Sequence, residues 1–379
     1  MRVLLLNSIL RTAENGVIPP ANTIKDSMIY NLGMGFKRTG HEVTLIAGKD
    51  FKPVVKEDYD FEVIFQKTYW KRVFWPGVLP LQFGLISYLI KNKKKFDLVI
   101  SSEVFAIPSL FAVMIAPKKT VIWHEVNVHP KLYKKIPSKI WYNIIAKLFF
   151  QRSLVVPRSK DAGRFVSQYV RYISETIVEH GVNLENFICS SEKKNQFIVV
   201  SQLVKRKNIE SIIEKFNAFI QKYNKKDFQL LIAGKGDLQE ELQQQILNLN
   251  IQNNVTLLGH VPHSELGIIL SESMVMLINT KQDLNMVSIP EAIVSGTPVI
   301  TNLVPTTASF IHENKLGIAK NEWNEDDLYD FFQNKELYIQ SCIDQRHHLS
   351  VEHSAELLIN NFKDFKLSGK RGNKRTSFQ

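Results

Sequence analysis

Short apolar runs rich in β-branched residues alternate with amphipathic stretches from one end of this chain to the other. A buried parallel strand reads as a short continuous apolar run, and joining two such strands takes a crossover of a dozen residues or more, usually a helix. The alternation therefore confines the chain to the α/β class with parallel sheets. In the first half the predicted strands are residues 2–7, 42–47, 61–65, 97–101, 120–123 and 153–156, with helical patterns such as 25–39 and 79–91 between them. Gly40 stands where a left-handed helix C-cap is expected, just before the strand that follows His41. The second half repeats the scheme, with strands at 197–201, 229–233, 255–258, 274–279 and 298–301 and helices at 206–223 and 237–249.

A chain of 379 residues, 44% of them hydrophobic, exceeds one compact core and suits two. The expected architecture is two doubly wound, Rossmann-like parallel-sheet domains facing each other across a cleft. The first takes residues 1–180 and the second 190–340, with a polar junction at 180–194. A C-terminal helix at 345–365 is expected to pack back towards the first domain. Residues 366–379, basic and poor in apolar side chains, read as a disordered tail. In such sheets ligands bind at the carboxyl ends of the strands.

The net charge of +11 fits three kinds of partner: nucleic acid, an anionic membrane surface or phosphorylated substrates. No zinc finger, RNP-like run or heptad-linked basic region accompanies the charge, which weighs against nucleic acid. Cys189 and Cys342 lie far apart with no metal-ligand spacing, which argues for a reducing compartment and against a disulfide framework or a metal site. The apolar start of the chain reads as a strand rather than a signal peptide, and the run 104–116 is too short to span a bilayer of about 30 Å. The expected location is cytoplasmic, with contact at the inner face of a membrane left open.

Candidate chemistry concentrates between Thr280 and Asn302, TKQDLNMVSIPEAIVSGTPVITN. A strand ends there, a polar loop follows, and a helix runs to Ser295. The backbone N–H groups of Asn285, Met286 and Val287 at such a helix start form a natural seat for phosphate. Asp283 and Glu291 place one carboxylate in the loop and one in the first turns of the helix. The plainer readings are a turn residue for Asp283 and a capping box, Ser288-x-x-Glu291, for Glu291. Lys205, Arg206 and Lys207 stand at a strand–helix junction, where cations oppose the helix dipole unless an anion joins them; a solvated charged turn is the alternative. His124 follows a strand and is either a structural histidine or a group reaching the cleft. Asp58-Tyr59-Asp60 precedes a strand and has no partner acid, so metal binding there is disfavoured. Gly234-Lys235-Gly236 reads as a turn near a nucleotide site.

Taken together these elements resemble the family-4 retaining glycosyltransferases of the GT-B fold. The resemblance rests on five motifs in order: Ile177 to Asn183 as the turn into the second domain, Ser201-Gln202-Leu203 with Lys207-Asn208, Leu231 to Gly236, Asn254-Val255 with Gly259-His260-Val261, and Asp283 to Glu291 followed by Ser295-Gly296-Thr297-Pro298-Val299-Ile300. In the first domain Gly40 to Val43 and His124 also match.

The resemblance implies a donor, a UDP- or GDP-sugar, and no required metal or other cofactor. It implies that Lys207 and Gln202, with Arg206, contact the diphosphate, and that Glu291 holds the ribose hydroxyls. Asp283 would face the donor sugar, the amides of Asn285, Met286 and Val287 the leaving phosphate, and His260-Val261 the base. His124 would touch the sugar from the first domain, whose loop after the first strand is reduced here to Asn15-Gly16. Gln202 stands where the family has arginine, and Asp283 is one methylene shorter than glutamate.

The expected activity is transfer of a sugar to a glycan or lipid-linked acceptor, in bacterial surface polysaccharide synthesis. A non-catalytic subunit and a sugar-nucleotide isomerase are the rivals. Two stretches of the first domain leave membrane contact open against ordinary packing. These are Ser138 to Arg152, with Ile140, Trp141, Ile144, Ile145, Leu148 and Phe149 read as one helical face, and the aromatic stretch Tyr69 to Gly84.

Overall fold

The computed structural model describes residues 1–11, 18, 20–74, 79–129, 136–282 and 286–368. Asn15, Gly16, Asp283 and Asn285 lie outside the described residues. The chain divides into two compact units: Met1–Gly181 with the segment from Val351 onward, and Val182–Ser350.

In the first unit the described strands are β1 (Arg2–Leu6), β2 (Glu42–Gly48), β3 (Glu62–Gln66), β4 (Leu98–Ser102), β5 (Thr120–His124), β6 (Leu154–Pro157) and β7 (Tyr172–Ile173). They form one sheet in the order β3-β2-β1-β4-β5-β6-β7, with every pairing parallel. The order reverses between β1 and β4, the position at which a doubly wound sheet opens a crevice at its carboxyl edge. Val3 to Leu6, Leu98 to Ile100 and Val121 to Trp123 are buried, as a sheet covered by helices on both faces requires.

Helix Met28–Arg38 buries Ile29, Leu32 and Phe36, a helical spacing. The C-terminal helix Val351–Ser368 lies against it. At Gly35 the two backbones come so close that a β-carbon would fall on the Val351 carbonyl. Ala355, Leu358, Ile359 and Phe362 then enter the core of β1 and β2, and Arg38 pairs with Glu352 at 2.8 Å. The C-terminal helix expected at 345–365 runs Val351–Ser368, and the helix before it, Glu325–Gln345, belongs to the other unit. Residues 366–368 are helical rather than part of a tail.

In the second unit the described strands are β8 (Gln196–Val200), β9 (Gln229–Ala233), β10 (Val255–Gly259), β11 (Val275–Ile278), β12 (Val299–Thr301) and β13 (Gly317–Ala319). Their order is β10-β9-β8-β11-β12-β13, again all parallel, with the reversal between β8 and β11. Helix Ile209–Lys222 covers one face, burying Ile209, Ile212, Ile213, Phe216, Phe219 and Ile220 at helical spacing. The unit spans 182–350 rather than 190–340 because its two ends are joined: the Val182 N–H donates to the Leu349 carbonyl at 2.7 Å.

Candidate functional site

The carboxyl edge of the second sheet is a set of stitched loops. Beyond β8, the Ser201 and Leu203 N–H groups each donate at 3.0 Å, to the carbonyls of Ala233 at the end of β9 and of Lys235 in the loop after it. The Gly234 N–H donates to Gly259 at the end of β10 at 2.7 Å. Gly234 adopts a φ of 151°, and a β-carbon there or at Gly236 would overlap the carbonyls of Ser201 and Leu203. The Gly-Lys-Gly segment is therefore a clasp between loops, which no other residue type fits.

The three cations do not open the following helix. Lys205–Lys207 form a 3-10 turn, Asn208 breaks the chain with a left-handed φ of 52°, and the α-helix starts at Ile209. The opposition to the helix dipole expected from the sequence is thereby eased. Arg206 locks this turn to the loop after β11. Its carbonyl accepts from the Lys281 N–H at 2.7 Å and the Thr280 hydroxyl at 2.9 Å. Its guanidinium donates to the Gln282 carbonyl and to the Gln202 side-chain oxygen, each at 3.2 Å. Gln202, Arg206 and the residues immediately before Asp283 are thus brought together, with Lys207 half-buried on the same turn.

Glu291 lies in the first turn of helix Ser288–Val294. The capping box is not made: Val287 occupies the N-cap and no side-chain cap bond forms. Instead the carboxylate is 6% exposed. Its one ionic neighbour among the described residues is His263 Nδ1, at 3.6 Å from Oε1. Burial pushes the carboxyl up to about 8, because a charge leaving water without a close cation is destabilised. Met286 is buried beside Ile289, whereas Val287 is exposed. His260 is exposed just past Gly259, whose φ of 68° turns the chain out of β10, and Val261 is half-buried.

In the first unit His124 ends β5 and is fully buried, so its ring does not open to solvent. Nδ1 sits 2.8 Å from Glu103 Oε2 and the Val104 N–H approaches the same nitrogen at 3.4 Å. The shorter contact sets the tautomer: Nδ1 carries the proton and donates to the carboxylate. Nε2 is buried with no hydrogen-bond partner among the described residues. Glu103, the residue after β4, has a left-handed φ of 68°. It also accepts the Glu125 N–H at 2.9 Å and the Val126 N–H at 3.3 Å. Burial opposes its charge, but His124, Arg158 and the Glu125 amide outweigh burial and hold the carboxyl below its ordinary range. Arg158 is buried, stacked 3.8 Å from the Trp123 ring centre and paired with Glu125 at 2.8 Å. Glu103, Arg158, Asn7, Ser8 and Ser102 are the polar residues lining a cavity of about 230 Å³, with Phe105 among its apolar walls.

Glu103, Arg158 and His263 were missed in the sequence. Glu103 and Arg158 could have been found from position alone, since each directly follows a strand at the carboxyl edge, as His124 closes one. Asp60 of the Asp58-Tyr59-Asp60 stretch accepts the Tyr30 hydroxyl at 2.6 Å, a structural role. Among the described residues no group of three or more His, Cys, Asp or Glu side chains is placed to hold a metal ion.

Residues 185–341 match the family of glycosyl transferases group 1. The O-antigen chain mannosyltransferase RfbU of Salmonella typhimurium is 29% identical over 49% of this chain and 52% of its own. The alpha-monoglucosyldiacylglycerol synthase of Acholeplasma laidlawii is 26% identical over 43% of this chain and 45% of its own. The chain thus spans about half the length of the curated relatives it matches. Among solved structures, Anabaena HepE in complex with UDP aligns with a TM-score of 0.64 at 12% identity, covering 96% of this chain and 100% of its own. That likeness shows the fold, the two Rossmann-like domains of the GT-B class.

Proposed function

We propose that this chain is a retaining glycosyltransferase of family 4. It moves a hexosyl unit from a UDP- or GDP-sugar to a glycan or lipid-linked acceptor in surface polysaccharide or glycolipid synthesis, at the cytoplasmic side of the membrane. The observation that carries the reading is Glu291, a buried carboxylate at the start of the helix after β11, with no lysine or arginine paired to it among the described residues. A pair of ribose hydroxyls would donate to it and make the ionised form favourable. The segment match to glycosyl transferases group 1 covers this part of the chain, and HepE, of the same fold, is known with UDP.

In this reading Arg206, Gln202 and Lys207 meet the diphosphate, with the amides of Asn285, Met286 and Val287. His260 and Val261 contact the base, and Asp283 the sugar. The bond from the anomeric carbon to the phosphate oxygen breaks as the acceptor oxygen bonds to the same face. The acceptor proton passes to a phosphate oxygen, and the nucleoside diphosphate leaves. Fixed cations and amide dipoles stabilise that departing charge more than the ground state, and no metal ion is required of them. The cavity beside Glu103 in the first unit takes the acceptor hydroxyls. His124, through Nδ1, keeps Glu103 in place and charged rather than meeting substrate itself. The names of the mannosyltransferase and the diacylglycerol synthase support an acceptor of glycan or glycolipid type.

Calorimetric titration of UDP and GDP into the wild type and Glu291→Ala tests the reading. One nucleotide should bind the wild type and bind the variant about tenfold or more weakly; equal binding by both would remove Glu291 from the site.

A further inference from the structure

Residues Ile136 to Phe149 form one continuous helical segment in which Trp141–Ala146 is a π-helix. The wider π turn offsets the α-helical drift, so residues four apart stay in line along the whole segment. Ser138, Tyr142, Ala146 and Phe150 are buried on the inner side, against the sheet. The column of residues two positions away is made of Ile136, Ile140, Ile144 and Leu148, and these are 59%, 53%, 52% and 67% exposed. Beside it runs an exposed column of Lys139, Asn143 and Lys147. The six residues read from the sequence as one face do lie together, Ile140, Ile144 and Leu148 exposed and Trp141 and Ile145 half-buried beside them, but that face points outward and the core is met by a different column.

A contiguous exposed apolar column on a helix whose inner side is already packed is the mark of a contact surface. The sign of that partner is written beside the aliphatic column: between Ile136 and Arg152 the chain has lysines and an arginine and no acidic residue. The whole chain carries +11. No described helix is long and apolar enough to cross a membrane. We infer that this outer face docks on an anionic lipid surface, with Ile136, Ile140, Ile144 and Leu148 entering the acyl boundary and Lys139 and Lys147 meeting the headgroups. Aliphatic burial and basic attraction together are what stable interfacial binding takes. The inference stands apart from the catalytic reading, because the face carries none of the residues assigned to donor or acceptor.

Sedimentation of the full chain with two kinds of vesicle tests it: phosphatidylcholine alone, and phosphatidylcholine mixed equally with phosphatidylglycerol. The wild type should pellet with the anionic vesicles and stay in solution with the neutral ones. The triple change Ile140→Ser, Ile144→Ser, Leu148→Ser should weaken binding at least about tenfold. Lys139→Gln with Lys147→Gln should weaken it severalfold and reduce its salt dependence. All these side chains are exposed, so an unchanged thermal midpoint keeps the comparison clean; Val54→Ser, at an exposed position elsewhere, should bind as the wild type does. The inference is overturned if the wild type ignores anionic vesicles or if the triple variant binds them equally. It is also overturned if the face instead holds two copies together, seen as a concentration-dependent dimer that the triple variant loses.

Discussion

The Arg206 guanidinium donates to the Gln202 side-chain oxygen at 3.2 Å. The amide just beyond β8 thus holds a cation supplied from four residues on. Arg206→Ala should weaken nucleoside diphosphate binding roughly tenfold to a hundredfold, as expected for losing a charged hydrogen bond to phosphate. Gln202→Ala should cost less, because the charge stays. Titration calorimetry at low and high salt separates the two, and the Arg206 effect should shrink as salt rises.

Glu291 couples stability to pH with an unusual sign. Its carboxyl titrates near 8 in the folded chain and near 4.5 when unfolded. Between those values the folded chain holds a proton that the unfolded chain has released. Its stabilising contribution is therefore complete below about 4.5 and declines as pH rises, by roughly 3 kcal/mol at neutral pH. Glu291→Gln should flatten this dependence and raise the thermal midpoint at pH 8 while weakening nucleotide binding. Affinity in the wild type should climb with pH until about 8, with a proton released on binding. A wild-type midpoint that does not fall between acid and alkaline pH would contradict the burial of this carboxyl.

Glu103 shows the opposite sign. Its folded pKa is depressed, so its contribution is present above the ordinary carboxylate range and lost as pH falls through the depressed value. Glu103→Gln should lower stability at neutral pH by about 2 kcal/mol and remove that acid sensitivity. It should also raise the apparent KM for acceptor while leaving nucleotide binding unchanged. Unfolding curves across pH and acceptor titrations check both parts.

Gly35→Ala should destabilise the first unit by about 1–3 kcal/mol, because a methyl group meets the Val351 carbonyl and forces the C-terminal helix away. Denaturant unfolding measures it. Gly40→Ala, at a φ of 82° but with open space around it, should cost only about 1 kcal/mol.

Both parallel sheets were legible in the sequence because buried parallel strands are continuous apolar runs. β7 and β13 were not, since two or three residues carry no periodicity. The helix that closes over Gly35 was legible as a separate C-terminal helix, but its start at Val351 was not, because the turn His347–Leu349 before it carries no proline or glycine to mark it. The loop cations were legible as a cluster. Their 3-10 turn depends on one left-handed asparagine, which pattern alone does not reveal. Glu291 was found through spacing and resemblance, and its depth of burial is a tertiary property. The apolar stripe at 140–149 was legible, but not that it faces outward: Tyr142, Ala146 and Phe150 enter the core instead, a choice made by tertiary packing across a π turn that helical periodicity does not anticipate.

The most direct test of the central claim is a screen of UDP- and GDP-sugars with purified protein, following nucleoside diphosphate release for the wild type, Asp283→Ala and Lys207→Ala. Slow release from one donor, lost in both variants, is the predicted result. Absence of release and of binding for every donor would contradict the transferase reading and turn attention to a protein that this chain assists.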